Sequence, residues 1–424
     1  MNIMNILSDS PWWFVALAVV FVVAWLVQIV LQLVVWSRPL RHLRRQQKEA
    51  AAQLGQPAGP QPGVSILVYA HNQGEALVRN LPVLLSQDYP AYEVIVIDDT
   101  SRDETQDVLT MMDQRFEHLF HSRIDERVRT MSHRKLAVLL GTKAAHYELV
   151  VMTQAQCLPT SDKWLANMVQ HFQNPGVEVV LGPVAYERRA SFLSRFAQYD
   201  LFHRLTGMFG LSLAVRPFAG WAQNMAFRKS TFYANRSQGY QRHLHIQPGE
   251  DDLFVSDVAR GSNVAIECRA DSLLTDQSSP LFLDWSIDRL NRGFTSRLYA
   301  MAPVCVKVID DLTRYLTVLP GLALVALGLV LALQPVADPA GASADVAALQ
   351  MAGWVLFGVA LALLLIRAVL MTWAESAFAR SLRLRRFIAW PLFMDLYLPL
   401  VDAWFRIKAL IKRKSFGVGY IGLK

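Results

Sequence analysis

The sequence predicts an α/β domain with a mainly parallel sheet, joined to transmembrane helices on both sides. Two apolar, β-branched runs, Val64–Val68 and Val94–Ile97, flank an amphipathic segment from Glu75 to Gln87. This is the pattern of a strand–helix–strand unit. Runs that are apolar throughout are typical of parallel strands buried on both faces. The chain has 424 residues, of which 53% are hydrophobic, and its longest apolar stretches lie near its two ends. We therefore expect a membrane protein with a soluble middle.

The first membrane element is an uncharged apolar stretch over residues 12–36. It exceeds the roughly 20 residues that cross a bilayer core, and it lacks the small-residue cleavage site of a signal peptide. Residues 1–11 contain no Lys or Arg, whereas several follow in residues 37–63. The positive-inside rule then predicts an external amino terminus, a basic linker over 37–63 and a cytoplasmic domain over 64–300.

Further membrane elements are predicted after this domain. Residues 314–334 and 351–373 are long enough to span, with Arg367 near the inner end of the second, and the loop between them has no Lys or Arg. That loop is expected outside. Residues 387–411 are apolar but contain two Pro and two Asp between basic flanks. This pattern favours a pair of interfacial or re-entrant helices over a fourth span.

Polar residues follow both strands of the predicted unit, from Tyr69 to Asn72 and from Asp98 to Asp103. Open parallel sheets bind ligands at the carboxyl ends of their strands. Asp98 and Asp99 could there accept hydrogen bonds from a ribose, a base N–H or a metal-bound water. The alternative is a pair of solvated loop carboxylates.

A basic helix start is the next feature. The segment Ser132–His146 has helical spacing and begins with His133, Arg134 and Lys135. Cations are unfavourable at a helix amino terminus unless an anion joins them, and a phosphate is one such anion. A solvated basic turn is the alternative. The remaining elements predicted for the domain are a helix at 102–120, a strand at 177–183, a helix at 191–213 and a polar loop at 218–232.

A third buried strand, Glu148–Thr153, is followed by Gln154, Ala155 and Gln156. Side chains at i and i+2 of an extended segment point the same way, so an acidic pair here could hold one divalent ion. This chain has two glutamines instead. Because neutral amides are poor ligands for a hard cation, we expect the segment to bind a sugar or phosphate and to hold metal weakly.

Three consecutive carboxylates, Glu250, Asp251 and Asp252, precede an apolar helix start. Acidic residues are favoured in the first turn of a helix by its dipole, so one interpretation is a capped helix. In a cleft, however, mutual repulsion would raise the pKa of at least one carboxyl toward the range useful for a general base. Further along, Arg289 and Arg292 could stabilise a departing diphosphate or face anionic lipid.

Net charge and cysteine content narrow the range of partners. The charge is +7, much of it beside the predicted spans, and no nucleic-acid motif accompanies it. Anionic lipid and an anionic substrate are therefore the expected partners. The three cysteines show no metal-binding spacing and are expected to be reduced and structural.

Five ordered motifs resemble those of family 2 glycosyltransferases, the inverting type with a GT-A (Rossmann-like mixed, mainly parallel) fold that includes cellulose, hyaluronan and chitin synthases. The motifs are VSILVYAHNQGE, VIVIDDTSRDET, RKLAVLLGTKAA, FAGWAQNMAFRKS and GEDDLFV, within residues 64–299. The chain is most similar to membrane-anchored bacterial members with one leading and two or more trailing spans. The resemblance implies a multi-pass inner-membrane protein that uses a nucleotide-sugar donor and a glycan or lipid-linked acceptor.

The resemblance also implies roles for individual residues. Asp251 corresponds to the catalytic base, Asp99 to the nucleoside-binding Asp and Lys135 to a residue near the diphosphate. The full implied donor-binding set is Tyr69, Ala70, Glu75, Asp98, Asp99, Lys135, Gln154 and Gln156, and the implied acceptor or diphosphate set is Glu250, Asp252, Arg289 and Arg292.

Two motifs depart from the family pattern. Gln154 and Gln156 stand where the family has its metal-binding Asp-x-Asp, and the Gln-x-x-Arg-Trp element matches only loosely, at Asp288–Gly293. Binding of Mg²⁺ or Mn²⁺ should therefore be weak, and no other cofactor is expected. The hypotheses are a transferase with little metal dependence, helped by cations from 133–135 and 289–292, or a non-catalytic scaffold that binds nucleotide sugar or partner subunits.

Overall fold

The structure is a computed structural model. It describes residues 12–52, 61–128, 132–234, 240–244, 246–278, 281–334, 344–385, 387 and 390–412. The predicted external segment 1–11 and parts of the predicted linker and outer loop, 53–60 and 335–343, lie outside the described residues. The chain divides into two compact units. The membrane unit comprises Met1–Ser37, Cys305–Ser376 and Phe387–Pro399, and the sheet unit comprises Arg38–Val304, Ala377–Arg386 and Leu400–Lys424.

The sheet unit is built on a seven-stranded mixed sheet. The strands of the described residues are β1 Val64–Ala70, β2 Tyr92–Asp98, β3 Leu119–Arg123, β4 Leu149–Gln154, β5 Cys157–Pro159, β6 Val179–Leu181, β7 Val184–Tyr186, β8 Met225–Arg228, β9 Val264–Ile266 and β10 Leu274–Asp276. The order is β3-β2-β1-β4-β8-β6-β9, and β5-β10-β7 form a small second sheet. In the large sheet only β8 runs antiparallel to its neighbours, β4 and β6. The predicted fold class, a mixed and mainly parallel α/β sheet, is confirmed.

Helices cover the sheet and form the membrane unit. They are α1 Trp12–Leu31, α2 Arg38–Ala52, α3 Gly74–Leu84, α4 Thr105–Asp113, α5 His133–Ala144, α6 Trp164–Val169, α7 Phe192–Ala214, α8 Lys229–Ala234, α9 Asp252–Val258, α10 Phe282–Thr295, α11 Met301–Ala332, α12 Ala344–Ser381 and α13 Trp390–Ile411. A π-helical turn, Gln32–Trp36, follows α1. Ile66, Val68, Val94 and Val151 on the central strands are fully buried, as expected for strands covered on both faces.

Three elements of the sheet unit differ from the sequence predictions. The helix predicted over 102–120 ends at Asp113, and the chain then enters edge strand β3. The loop predicted over 218–232 contains β8, whose apolar Met-Ala-Phe run is completed as a strand only by its long-range pairing with β4 and β6. The predicted linker is helical over α2, because Leu40 and Leu43 recur at helical spacing and are buried on one face.

Three helices are long and apolar enough to cross a membrane: Trp12–Ala52, Met301–Ala332 and Val346–Ser381. They contain the predicted spans 12–36 and 351–373 and all but the last two residues of the span 314–334, and they suggest membrane association. The predicted interfacial pair over 387–411 is instead a single helix, α13, with Pro399 inside it.

The membrane unit buries a network of charged side chains. Arg367 donates to Asp395 at 2.6 Å, and Arg314 donates to Asp310 at 2.6 Å. Gln28 connects the two pairs, because its amide nitrogen donates to Asp310 at 3.0 Å and its oxygen accepts from Arg367 at 2.9 Å. The network links α1, α11, α12 and α13, and its two guanidinium groups balance its two carboxylates.

Candidate active site

An open cleft of about 950 Å³ lies at the carboxyl edge of the large sheet. The strand register explains its position, because Tyr69 pairs with Gln154, and Ala70 pairs with Asp98. Parallel strands therefore end side by side, as the sequence predicted. Eight of the predicted site residues line the cleft: Tyr69, Asp99, Gln154, Gln156, Glu250, Asp251, Asp252 and Arg292.

Asp99 is held by two side chains. The Tyr69 hydroxyl donates to Asp99 Oδ2 at 2.5 Å, and His133 Nδ1 lies 2.6 Å from Asp99 Oδ1. His133 Nε2 faces the carbonyl oxygen of Val128 at 2.8 Å. Burial lowers the pKa of His133, but the bonds to Val128 and Asp99 outweigh that effect and raise it. Because both ring nitrogens face acceptors, the protonated imidazolium fits this geometry.

The loop after β2 is strained. Thr100, directly after Asp99, has a φ of 51°, in the left-handed region that β-branched residues rarely adopt. Asn72, after β1, has a φ of 52°, which Asn tolerates better. The two loops hold each other: Asn72 N donates to Ser101 Oγ, and Arg102 N donates to Asn72 Oδ1, both at 2.8 Å. The strain therefore lies beside the Asp pair, of which Asp99 lines the cleft.

The two glutamines bond to each other, with Gln156 Nε2 donating to Gln154 Oε1 at 2.6 Å. Asp276 enters the same cleft from β10, the neighbour of β5, and accepts from Gln223 Nε2 at 3.0 Å. Burial raises the pKa of Asp276. Sequence reasoning missed Asp276, although the apolar run Leu273–Leu274 ahead of it was a weak strand signal.

The donor atoms here fit a divalent ion poorly. Among the described residues no three His, Cys, Asp or Glu side chains are grouped as a metal site. The amide oxygen of Gln154 already accepts from Gln156. Mg²⁺ and Mn²⁺ prefer several anionic oxygen ligands, whereas this part of the cleft offers the two amides and the buried carboxyl of Asp276. These groups are better suited to bind sugar hydroxyls.

A turn at Gly249 presents the three carboxylates to the cleft. Gly249 has a φ of 98°, and a Cβ there would lie 2.4 Å from Leu253 Cδ1, so glycine is required. Asp251 accepts from Asp252 N at 2.7 Å and from Ala222 N at 3.0 Å. Burial raises the pKa of Asp251 to about 7, with Asp252 and Glu250 adding to the rise and Arg292 opposing it.

The three carboxylates have different partners. Glu250 accepts from Arg134 Nη1 at 3.4 Å, and Asp252 accepts from the hydroxyls of Thr295 and Tyr299. Asp251 accepts from two backbone N–H groups, and its Oδ2 lies 3.8 Å from Arg292 Nη2, which is a longer distance than in the Glu250–Arg134 pair. Of the three carboxylates, Asp251 therefore combines a near-neutral pKa with a place in the cleft, which suits proton transfer.

Arg134 and Arg292 are the arginines of the cleft. The Arg134 guanidinium lies 5.3 Å from the centre of the Tyr69 ring. Arg292 lies 5.3 Å from the centre of the Trp221 ring and donates to Asp288 at 3.1 Å. Both groups remain charged at any physiological pH and can approach an anion held in the cleft.

Five predicted site residues do not line the cleft: Ala70, Glu75, Asp98, Lys135 and Arg289. Glu75 is exposed in the first turn of α3, and Ala70 is buried. The remaining three are buried charged residues. Asp98 accepts from Ser101 N at 3.2 Å. Lys135 donates to the His243 carbonyl oxygen at 2.6 Å, and burial lowers its pKa to about 8. Arg289 pairs with Asp200 and Asp402.

The mixed, mainly parallel sheet with a polar cleft at its carboxyl edge is a GT-A-like architecture. Residues 65–232, a part of the sheet unit, match the family described as Glycosyl transferase family 2, and four of the five motifs that carry the predicted resemblance lie wholly or mostly within this segment.

Known proteins similar to this chain share only part of it. Glycosyltransferase AglE of Haloferax volcanii is 26% identical over 127 residues, 30% of this chain and 40% of that protein. A poly-beta-1,6-N-acetyl-D-glucosamine synthase of Staphylococcus epidermidis is 26% identical over 133 residues, 31% of each. The chain thus spans less than half the length of these relatives.

Solved structures similar to this chain have lower sequence identity to it. Mannosyltransferase PcManGT from Pyrobaculum calidifontis, in complex with GDP-Man and Mn²⁺, is 19% identical with a TM-score of 0.42, over 84% of this chain and 97% of that one. TarS 1–349 of S. aureus is 13% identical with a TM-score of 0.40, over 82% and 92%.

Proposed function

We propose that this protein is a membrane-bound inverting glycosyltransferase of the polysaccharide- and glycolipid-synthesising type. It moves a sugar from a nucleoside-diphosphate donor to a hydroxyl of a glycan or lipid-linked acceptor, on the cytoplasmic side of a bacterial inner membrane. The observation that carries the proposal is Asp251, a buried carboxyl with a pKa of about 7 in a cleft that also holds two arginines. A base with that pKa is matched to neutral pH.

Asp251 takes the proton from the acceptor hydroxyl while that oxygen bonds to the anomeric carbon. The bond from the anomeric carbon to the diphosphate oxygen breaks on the opposite face, and its electron pair leaves with the nucleoside diphosphate. The backbone donors of Ala222 and Asp252 hold the carboxylate in one orientation. Asp252, fixed by two hydroxyls, adds negative potential that keeps Asp251 basic.

The departing diphosphate needs positive charge around it. Arg134, Arg292 and His133 line the cleft and supply it, whereas Lys135 and Arg289 are buried in other contacts. Because the glutamine pair is a poor metal site, this cation set supports transfer with weak metal dependence. Tyr69 and Asp99, which are bonded to each other, are assigned to the nucleoside, and the Arg134 guanidinium lies 5.3 Å from the centre of the Tyr69 ring.

A second candidate is a non-catalytic subunit that binds nucleotide sugar or partner subunits. One observation favours it: Gln154 and Gln156 are bonded to each other at the position where the family carries metal ligands. The positions of Asp251, Asp99 and the cleft cations do not depend on the glutamine pair. A measurement of sugar transfer distinguishes the two candidates, because only the enzyme turns over its donor.

The test is a screen of UDP- and GDP-sugars with purified protein, reading nucleoside diphosphate release with and without EDTA. We expect release that EDTA barely slows, and a loss of about 10²–10⁴-fold in Asp251→Asn with nucleotide affinity retained. Asp271→Asn is the matched control, because Asp271 is a partly exposed Asp outside the cleft that pairs with Arg383. Binding without release would establish the scaffold. Release abolished by EDTA and restored by Mn²⁺ would overturn the weak metal dependence.

A further inference from the structure

A group of neutral amides surrounds one buried carboxylate on a wall of the cleft. We call this group the amide subsite, and it consists of six residues that line the cleft: Gln154, Gln156, Tyr186, Gln223, Asp276 and Ser278. Asp276 is only 2% exposed, so its carboxylate belongs to the built interior of the site and not to the solvated surface. None of these side chains takes part in the proton transfer or in the charge balance of the departing diphosphate.

The small second sheet holds the subsite together. Asp276 on β10 is paired in register with Tyr186 on β7 and with Cys157 on β5. Because directly paired residues carry their side chains on the same face of a sheet, Asp276 and Tyr186 reach the cleft side by side. Gln277 N donates to the Gln156 carbonyl oxygen at 3.0 Å and so fixes β10 against the glutamine pair. The carboxylate, the phenol and the glutamine pair therefore form one surface.

Asp276 is a carboxylate with neutral partners. Its Oδ2 accepts from Gln223 Nε2 at 3.0 Å, and its Oδ1 accepts from Ser278 N at 2.8 Å. Two oxygens that both accept match the ionised form of the group. In the described part of the chain no Lys, Arg or His side chain pairs with Asp276, whereas the cleft residue Asp288 pairs with two arginines. This wall of the cleft therefore carries one uncompensated negative charge.

The subsite lies between the base and the residues assigned to the nucleoside. Gln223 directly follows the residue whose backbone N donates to Asp251 Oδ2 at 3.0 Å. At the other end, Gln154 is paired in register with Tyr69, whose hydroxyl donates to Asp99. The base acts beside the anomeric carbon of the transferred sugar. Side chains between the base and the nucleoside-binding pair therefore face that sugar.

The chemistry of the subsite matches sugar hydroxyls. A primary amide both donates and accepts hydrogen bonds, whereas a carboxylate only accepts them. A hydroxyl can donate to Asp276 and accept from an amide at the same time, so a neutral sugar ring satisfies both kinds of group. A sugar carboxylate has no proton to donate to Asp276. It would also place a second negative charge near the first, where burial weakens the screening by water.

We propose that the amide subsite determines the sugar of the nucleotide-sugar substrate: it takes a neutral hexose, and Asp276 rejects uronic acids. The inference rests on the proposed function and deepens it, because it names the class of sugar that the same site receives. The selection acts on binding, so it can be measured without turnover.

The test compares nucleotide sugars that differ only at C6: UDP-glucose with UDP-glucuronate, and GDP-mannose with GDP-mannuronate. Kd is measured by titration calorimetry on the purified full chain in detergent. In the nucleotide series that binds, we expect the neutral sugar to bind about 100-fold more tightly than the uronate. Asp276→Asn should reduce this ratio to below about tenfold, chiefly through tighter binding of the uronate. Equal affinity for both members of a pair in the wild-type protein would overturn the proposal.

Two further variants separate charge from shape. Asp162→Asn, at an exposed position outside the cleft, is the matched control and should keep the wild-type ratio. Gln223→Lys supplies a cation beside Asp276 and should lower the ratio as Asp276→Asn does, so the charge effect is measured in two independent variants. A ratio of about 100-fold retained in both would show that shape excludes the uronate, and would overturn the role of Asp276.

The same titrations distinguish this inference from the proposed function. A protein that binds the neutral sugar selectively but never releases nucleoside diphosphate would overturn the proposed function and still support the sugar specificity. A protein that transfers from both members of a pair with equal Kd would support the proposed function and overturn the specificity. Failure to bind any of the four nucleotide sugars would overturn both.

Discussion

The membrane unit and the cleft of the sheet unit both hold buried charged side chains, but only the network in the membrane unit balances its charges. In the membrane unit, Arg314 and Arg367 face Asp310 and Asp395 in close pairs. In the cleft, three consecutive carboxylates share two arginines, and the pair between Asp251 and Arg292 is open at 3.8 Å. Balanced buried charge fixes packing, whereas unbalanced buried charge shifts pKa values and supports chemistry.

The buried charges of the membrane unit are suited to a structural role. Its members come from four helices, and every charge has a partner of opposite sign within the unit. Uncompensated charges are costly away from water, so wrong registers of these helices are disfavoured. Specific helix packing is the expected consequence.

The largest expected effect comes from breaking that balance. Arg367→Met leaves Asp395 with Arg314 alone, which Asp310 already engages, and removes the donor to Gln28. We expect a loss of about 3–5 kcal/mol of stability, measured as a fall in the thermal unfolding midpoint in detergent. The double variant Arg367→Met/Asp395→Leu should recover most of it, because no charge is left unpaired.

Lys307→Met is the control for this prediction. Its partner Asp311 lies one turn away, and the lysine is partly exposed, so the loss should stay below about 1 kcal/mol. Equal losses in Lys307→Met and Arg367→Met would contradict the view that the buried network determines packing.

The parts of the site that depend on local sequence could be predicted. The strand ends that carry Tyr69, Asp99 and Gln154 follow from local apolar runs, because parallel strands bring their carboxyl ends to one edge. The three consecutive carboxylates from Glu250 to Asp252 predicted a raised pKa from mutual repulsion. The pKa of Asp251 is raised, but burial is the largest cause and its two neighbours only add to it.

Features that depend on long-range packing could not be predicted. Asp276 reaches the cleft only because β10 pairs with β5, more than a hundred residues earlier. Arg289 and Arg292 lie about 60° apart around one helix, and spacing alone does not tell which one faces the cleft. Lys135 follows Arg134 directly, yet it is buried and does not line the cleft, because successive helical residues point about 100° apart and its ammonium group bonds to the His243 carbonyl oxygen.

The second prediction sharpens the role of the unbalanced charges. As a general base, Asp251 works only when deprotonated, so turnover should rise with pH through about 7. Arg292 lowers the pKa of Asp251, and Arg292→Gln should therefore move this acidic limb to higher pH by about one unit. The measurement is kcat for nucleoside diphosphate release between pH 5 and 9.

Two further observations decide this prediction. Arg79→Gln, at an exposed position of α3 outside the cleft, should leave the limb where it is. An acidic limb that stays in place in Arg292→Gln, with kcat lowered equally at every pH, would mean that Arg292 acts on the departing diphosphate alone and does not lower the pKa of the base.

The smallest expected effect concerns the strain beside Asp99. A β-branched residue in the left-handed region costs about 1–2 kcal/mol, and glycine relieves this while adding about 0.5–1 kcal/mol of unfolded-state entropy. Thr100→Gly should therefore raise stability slightly, by about 0.5 kcal/mol, in thermal unfolding. In the exposed helical interior of α4, where no strain exists, Thr110→Gly should lower stability by a similar amount. A loss at both positions would show that Thr100 stores no strain. A gain in stability in Thr100→Gly together with a loss in Thr110→Gly would mean that a strained loop lies beside the cleft. The cleft would then combine backbone strain with unbalanced charge, whereas the charge network of the membrane unit is balanced.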